Sequence, residues 1–446
     1  MKNLKKFIFM AIIIAITIIV VIYLNPNKNN NDKLTQKDFK TIDISSGEQV
    51  YTYDSYIYIY GKAGIKIMKD QNIILEDNFS LENPYVVTSY DKIAICDNNG
   101  KVVRIYSNSG HMYTINTVNN ILGFTINKNG FLSIILKNDN NYQIDIYNKD
   151  GDNIYSIKDI SYDQGVPVGI SISQDNKVLA VSYIQTTSAT VDSNIVFYSI
   201  QDNKLFGGFI KQEQVAGIIK FVDNSNLVCV SDKEIFIIKS NSAQNSEQSK
   251  EIYKKPLNNV LNDVKFLDGI GYLVCYGQSI LNSEEAMEEN TLVFYNQSGG
   301  EIGKYYKKGQ SITNITANKY GAIVEEGRLF TAINTSGKKI WEYQATQDIK
   351  DVIFYENSNK AIIVTNTQIK IVKIDKKLVD KQIDENNTEQ NSETSTEQTT
   401  NNDENNETEQ NSETTSINNE TTTNEPKTEN DEDTTTTNEE QDITGT

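Results

Sequence analysis

TAINTSGKKIWEY, residues 331–343, reads as an alternating apolar strand, a tight Asn-Thr-Ser-Gly turn and a second strand carrying Trp341, the chain's only tryptophan. Alternation with period two is the mark of a half-buried strand, and Asn, Ser and Gly are the residues that a tight turn tolerates best. Looser copies recur as IYGKAGIKI at 59–67, IYSNSGHMY at 105–113, IYNKDGDNIY at 146–155 and FYNQSGGEI at 294–302. One supersecondary unit repeated in this way must bury its faces against its neighbours.

Working outward, the chain from about Phe39 to Asp380 alternates β-branched and aromatic runs with Asn/Asp/Gly turns, an all-β signature. Units open near residues 50, 85, 120, 166, 215, 260, 312 and 349. Their length, about 35–50 residues, suits a four-stranded propeller blade. The expected fold is therefore a β-propeller of eight blades, with seven as the alternative. Ring closure often recruits an N-terminal strand, and TIDI at 41–44 is the candidate partner for the last blade at 349–380.

Six units begin their first strand with a small or polar residue: Gly123, Gly169, Gly217, Asp263, Asn314 and Asp351. GISISQDNKVLAVSY, 169–183, resembles the first hairpin of WD40-like propellers. TAINTSGKKIWEY resembles the repeat of quinoprotein-type propellers, which place a Gly turn before a docking Trp. Only one repeat keeps that Trp, so the resemblance implies fold and no quinone cofactor. The whole chain is similar to an uncharacterised family, a domain of unknown function, of single-pass, propeller-like surface proteins from Gram-positive anaerobes. That similarity implies a place at the cell surface and no mechanism.

Before the repeats, Phe7–Leu24 is an uncharged run of 18 residues. As a helix it would rise about 27 Å, close to the roughly 30 Å hydrocarbon core of a bilayer. Thirteen of its residues are Phe, Ile, Leu or Val, which favours insertion by about 4–8 kcal/mol. A cleaved signal peptide would have a shorter apolar core and a small-residue cleavage site. Here the run ends in Ile-Tyr-Leu-Asn-Pro, so an uncleaved anchor in the lipid bilayer is expected. Lys2, Lys5 and Lys6 place the N-terminus in the cytoplasm and the remainder outside. The expected domains are a cytoplasmic segment 1–6, a transmembrane helix 7–24, a polar stalk 25–40, a propeller 41–381 and a tail 382–446.

That tail holds 19 of the 60 acidic side chains and one lysine, Lys427, leaving 41 acidic and 41 basic residues before it. The net charge of −18 thus belongs to the tail. A balanced folded part presents no basic surface for nucleic acid. Composed of Asn, Thr, Glu, Ser and Gln, the tail lacks the apolar surface to offset ordering entropy and is expected to be disordered. Three cysteines, Cys96, Cys229 and Cys275, sit inside apolar runs as buried small hydrophobes, and a single histidine, His111, excludes any site needing two imidazoles.

Catalytic, cofactor and metal motifs are missing. Glu325 and Glu326, before Gly327-Arg328, read as an exposed turn. Adjacent strand residues point to opposite faces and do not suit paired-carboxylate hydrolysis. Asp150-Gly-Asp152 and Asp97-Asn-Asn-Gly100 look like fragments of calcium loops but do not continue into a ligand series. Two features remain. Asp263, Asn314 and Asp351 would line the central channel and face a ligand or cation, or else satisfy backbone N–H groups in their turns. Two long loops, Gln185–Ser193 and Gly277–Asn290, the second carrying Glu284, Glu285, Glu288 and Glu289, would emerge on one face beside the fifth blade. The expected function is a non-enzymatic, membrane-anchored module that binds a protein or cell-envelope partner. The alternative is an extracellular enzyme acting on wall carbohydrate or peptide through channel carboxylates.

Overall fold

The structure, a computed structural model, describes residues 40–374 except 71, 187–189, 241–248, 281–286 and 307–311. The segments expected to form the anchor and the acidic tail lie outside the described residues. Among the described residues there are eight four-stranded antiparallel sheets. Blades 1 to 7 are contiguous, spanning 49–78, 84–116, 120–161, 166–211, 218–256, 259–306 and 314–344. Blade 8 takes Asp351–Tyr355, Asn357–Val364 and Gln368–Lys373, and borrows its outermost strand, Lys40–Asp43, from the other end of the chain. Thr41 faces Lys370 and Ile42 faces Ile369 in that closing ladder, as the TIDI segment predicts.

Packing follows from the blade design. Inner strands are covered on both faces and read as unbroken apolar runs: Asn226–Val230, NLVCV, is buried at every position. Outermost strands alternate, as Lys250–Pro256 does. Eight core clusters result, each straddling two consecutive blades, and one of them joins blade 8 to blade 1 through Ile57, Ile59, Tyr355 and Ile362. The ring is closed.

Short hydroxyl side chains on the innermost strands stitch neighbours together. Thr52 donates to the Phe354 carbonyl at 2.8 Å, Thr316 to that of Val352 at 2.8 Å, and Ser171 accepts from Phe221 N–H at 2.8 Å. At the rim, Lys211 of blade 4 meets Glu234 and Glu251 of blade 5 over the Phe236 ring. Burial alone would depress the Lys211 ammonium, but the two carboxylates hold its pKa above the usual lysine value.

The opening motif occupies the third and fourth strands of blade 7, Leu329–Ile333 and Lys339–Gln344. Asn334 Oδ1 accepts the N–H groups of Ser336 and Lys338, and Gly337 takes the left-handed φ of +77° that closes the turn. Trp341 Nε1 donates to the Ser358 carbonyl of blade 8 at 2.7 Å, so the Trp docks one blade on the next. The copies at 105–113, 146–155 and 294–302 occupy the same hairpin of their blades. The copy at 59–67 does not: it joins the second and third strands of blade 1.

Strand alternation gives the disc two distinct faces. First-to-second and third-to-fourth turns share one, the turn face. Second-to-third loops and blade-to-blade connections share the other, the connector face. Because Lys40–Asp43 runs antiparallel to Gln368–Lys373, the described chain both begins and ends on the turn face.

Candidate functional site

The first strands line the channel, and a cavity of about 290 Å³ lies among those of blades 1, 2, 6, 7 and 8. Its polar wall includes Thr88, Lys265, Asn318 and Asp351, and its apolar wall includes Val50, Phe266 and Ile353. Asp351 opens the first strand of blade 8, and its Oδ1 accepts the N–H of Val352 at 2.8 Å. Burial pushes its carboxyl up to about 7. The Val352 N–H pulls back, Glu325 adds to the rise, and Lys265 and Lys350 oppose it. Asp263 sits two residues before Lys265 on the same strand face and pairs with it at 2.9 Å. Asn314 opens the first strand of blade 7, with Oδ1 accepting Ile315 N–H at 2.9 Å, and stands opposite Glu325 in the ladder.

Two of the three expected channel residues therefore meet around one space, Asp351 directly and Asp263 through Lys265. Asn314 is exposed and reaches that neighbourhood only through Glu325. Asn314 and Asp351 also satisfy the backbone N–H that follows each of them, so turn chemistry and channel placement coexist. Glu325 and Glu326 differ from expectation. They are the last residues of a strand, Gly321–Glu326, and Glu326 is buried. The turn proper is only Gly327 and Arg328.

At the turn face the channel is crossed. Asp268, in the first turn of blade 6, accepts Tyr90 N–H of blade 2 at 2.8 Å. These blades stand opposite one another in the ring, four places apart. Tyr51 and Tyr58 donate to the carbonyls of Tyr90 and Asp91 and fix the receiving turn. Burial pushes the Asp268 carboxyl up, against the pull of Lys220, whose ammonium burial depresses. No sequence pattern gave this contact, because it joins turns 178 residues apart.

On the connector face, the two long loops do join the second and third strands of blades 4 and 6, on either side of blade 5. Asn259 pins the second loop: its Nδ2 donates to the carbonyls of Gly277 and Met287, and its Oδ1 accepts Met287 N–H. Glu288 and Glu289 are exposed beyond that anchor, whereas Glu284 and Glu285 lie outside the described residues. Aspartates latch this face. Asp97 accepts the N–H groups of Glu82 and Asn83, Asp192 that of Glu213, and Asp232 that of Val215. Backbone donation holds the Asp97 carboxyl below its ordinary value.

The remaining candidates resolve as packing and turns. Cys96, Cys229 and Cys275 are free and buried, and burial pushes the Cys96 thiol up to about 11 and that of Cys275 to about 12. Asn148 Oδ1 accepts the N–H groups of Asp150 and Asp152, which makes that segment a turn. Among the described residues no cluster of three or more His, Cys, Asp or Glu could hold a metal ion.

Eight closed sheets around a lined channel define an eight-bladed β-propeller. Within that class, the chain belongs to the family of unknown function DUF5711, whose profile matches residues 27–374. No curated protein matches the sequence. Among solved structures, the C-terminal WD40 domain of Sif2 is 14% identical, over 75% of this chain and 98% of that one, with a TM-score of 0.49. Saccharomyces cerevisiae Sqt1 is 10% identical over 75% and 98%, with a TM-score of 0.46. Kuenenia stuttgartiensis hydrazine synthase is 11% identical over 77% and 99%, with a TM-score of 0.39. These likenesses are distant; the eight sheets themselves fix the fold.

Proposed function

We propose that this protein is a membrane-anchored, extracytoplasmic β-propeller that binds a protein or cell-envelope partner as a scaffold module at the cell surface. In this reading residues 7–24 span the bilayer once, residues 1–6 stay in the cytoplasm, and the propeller is held outside on a polar stalk. Protease added to intact cells should then degrade the propeller while leaving a short N-terminal fragment with the membrane.

The observation that carries the binding role is the contrast between the two faces. The turn face is crossed over its channel by Asp268 and Tyr90. The connector face gathers the two long loops and the exposed Glu288 and Glu289. A closed ring with two long loops on one face suits recognition better than turnover. Deleting residues 278–289 should remove the partner from cross-linked complexes, and an unchanged set of cross-links would overturn the assignment to these loops. Truncation after Lys381 should leave binding intact. Loss of binding there would favour a structural role for the tail.

Asp351 supports a second reading, an extracellular enzyme acting on wall carbohydrate or peptide. A carboxyl held at about 7 beside a cavity is suited to proton transfer. Asp263→Asn combined with Asp351→Asn should abolish any hydrolysis of purified wall material; full activity in the double variant would exclude the site.

A further inference from the structure

The exposed large apolar side chains are unevenly distributed between the faces. Among the described residues none lies in a turn of the turn face, where the exposed ones, Ile73, Leu205, Ile252 and Ile302, stand apart on the outermost strands just after the third-to-fourth turns. On the connector face they recur at one place in five successive blades: Tyr85, Leu122, Val168, Ile218 and Val260 stand exposed where the first strands of blades 2 to 6 begin. Val118, Tyr162, Val191 and Ile280 extend this crescent outward along the connections and loops of the same blades. In blades 7, 8 and 1 the first strands open instead on Asn314, Asp351 and Gln49.

Backbone geometry makes the exposure specific. The ladder of blade 3 slips between Ile121 and Gly123, so Leu122 is the residue left unpaired. Blade 4 repeats the device between Pro167 and Gly169, leaving Val168 unpaired. Blade 6 is irregular from Asn259 to Asp263. A bulge gives up regular pairing to re-aim a side chain, and here each bulge turns an aliphatic one toward water. Exposed apolar side chains repeated at one place in five neighbouring blades suit an interaction site.

Charge narrows the occupant. The exposed or half-exposed charged residues described on the loops and connections of this face in blades 4 to 6 are Asp163, Glu213, Asp232, Lys233, Glu288 and Glu289, with Asp192 opening the strand after the first loop and Lys304 reaching the second loop at Met287. Six of the eight are acidic, and of the two lysines Lys233 already pairs with Glu213 at 3.8 Å. In blades 2 and 3 the sign changes, because Lys101 and Lys137 stand beside Leu122; over blades 4 to 6 an anionic lipid surface would be repelled. The described chain ends on the far face, and the tail from Gln382 onward offers only three scattered isoleucines, Ile383, Ile417 and Ile443. A second copy would set this acidic surface against another of the same sign.

We infer that the crescent is the docking surface for a protein partner whose contact segment is apolar and flanked by lysine or arginine. The inference rests on the protein-binding role and specifies its partner. Apolar side chains of the partner would cover Val168, Ile218 and Val260, its cations would meet Glu288, Glu289 and Asp163, and Leu122, beside Lys101 and Lys137, would mark the end of the surface away from those cations.

The test places photoreactive benzoylphenylalanine at Leu122, Val168 or Ile218 of the full chain in the cells that make it. Control probes go at Lys128 and Lys149, exposed on the turn face. Adducts from the crescent should map by mass spectrometry to an aliphatic segment of another polypeptide with basic flanks. Their yield should fall about tenfold in an Ile218→Ser/Val260→Ser variant, and by a similar factor in Glu288→Lys/Glu289→Lys. Both pairs are solvent-exposed, so unchanged circular dichroism will show that the ring still folds. Adducts to lipid, to a second copy, to residues 7–24 of the same chain or to an acidic segment would overturn the inference. Adducts from Lys128 and Lys149 alone would also overturn it while leaving the protein-binding role standing. No adduct from either face would remove both.

Discussion

Asp351→Asn should stabilise the propeller at alkaline pH and change little in acid. Burial, reinforced by Glu325, raises the Asp351 carboxyl from an ordinary 3.8 to about 7, against the pull of Val352 N–H, Lys265 and Lys350. A folded-state value above the unfolded one means that the folded chain holds this proton more tightly. The penalty for ionising Asp351 is therefore absent below about pH 4, grows between about pH 4 and 7, and is complete above that window. A displacement of about three pH units, at roughly 1.36 kcal/mol each, sets a ceiling of about 4 kcal/mol. The side chain keeps some contact with channel water, which screens the charge and leaves about 2 kcal/mol. Asparagine retains the oxygen that accepts Val352 N–H at 2.8 Å and has no proton to lose. Urea unfolding of both proteins from about pH 4 to pH 8.5 should give stability curves that separate as pH rises. Parallel curves, or a variant less stable than the parent at high pH, would refute the argument.

Lys211→Met strands Glu234 and Glu251 between blades 4 and 5 and should cost about 3–5 kcal/mol in urea unfolding, whereas adding Glu234→Gln and Glu251→Gln should restore most of it. Trp341→Phe leaves the Ser358 carbonyl without its 2.7 Å donor and should cost about 1–2 kcal/mol, read by circular dichroism because the variant has no tryptophan. A chain beginning at Ser45 leaves Gln368–Lys373 as a bare edge and should lose at least about 3 kcal/mol, and a peptide of residues 40–44 should recover part of that loss in trans.

The blades were legible because a propeller is built from local alternation. Expected openings at 50, 85, 120, 166 and 260 fall within one residue of Gln49, Pro84, Asn120, Val166 and Asn259. Thr41–Ile44 was legible as a strand without a local partner. The shifted copy at 59–67 shows the limit: any tight hairpin between apolar strands looks alike, whichever pair it joins. Glu326 shows another, since Gly327 and Arg328 suffice for the turn and its neighbour is free to be buried. The bond from Tyr90 N–H to Asp268 and the cluster at Lys211 depend on the order and curvature of the ring, which no run of residues encodes. Leu122 and Val168 were hidden for the same reason. A bulge changes which way a residue points without changing the alternation around it.

The closing strand also imposes an order in time. Asp43 and Gln368 stand 325 positions apart, so the earliest strand to emerge during synthesis must wait for almost the last before it finds a neighbour. Until then blade 8 lacks its third strand and the closing ladder with Lys40–Asp43 cannot form. A nascent chain halted before Gln368 should therefore be cleaved by added protease faster than the full chain.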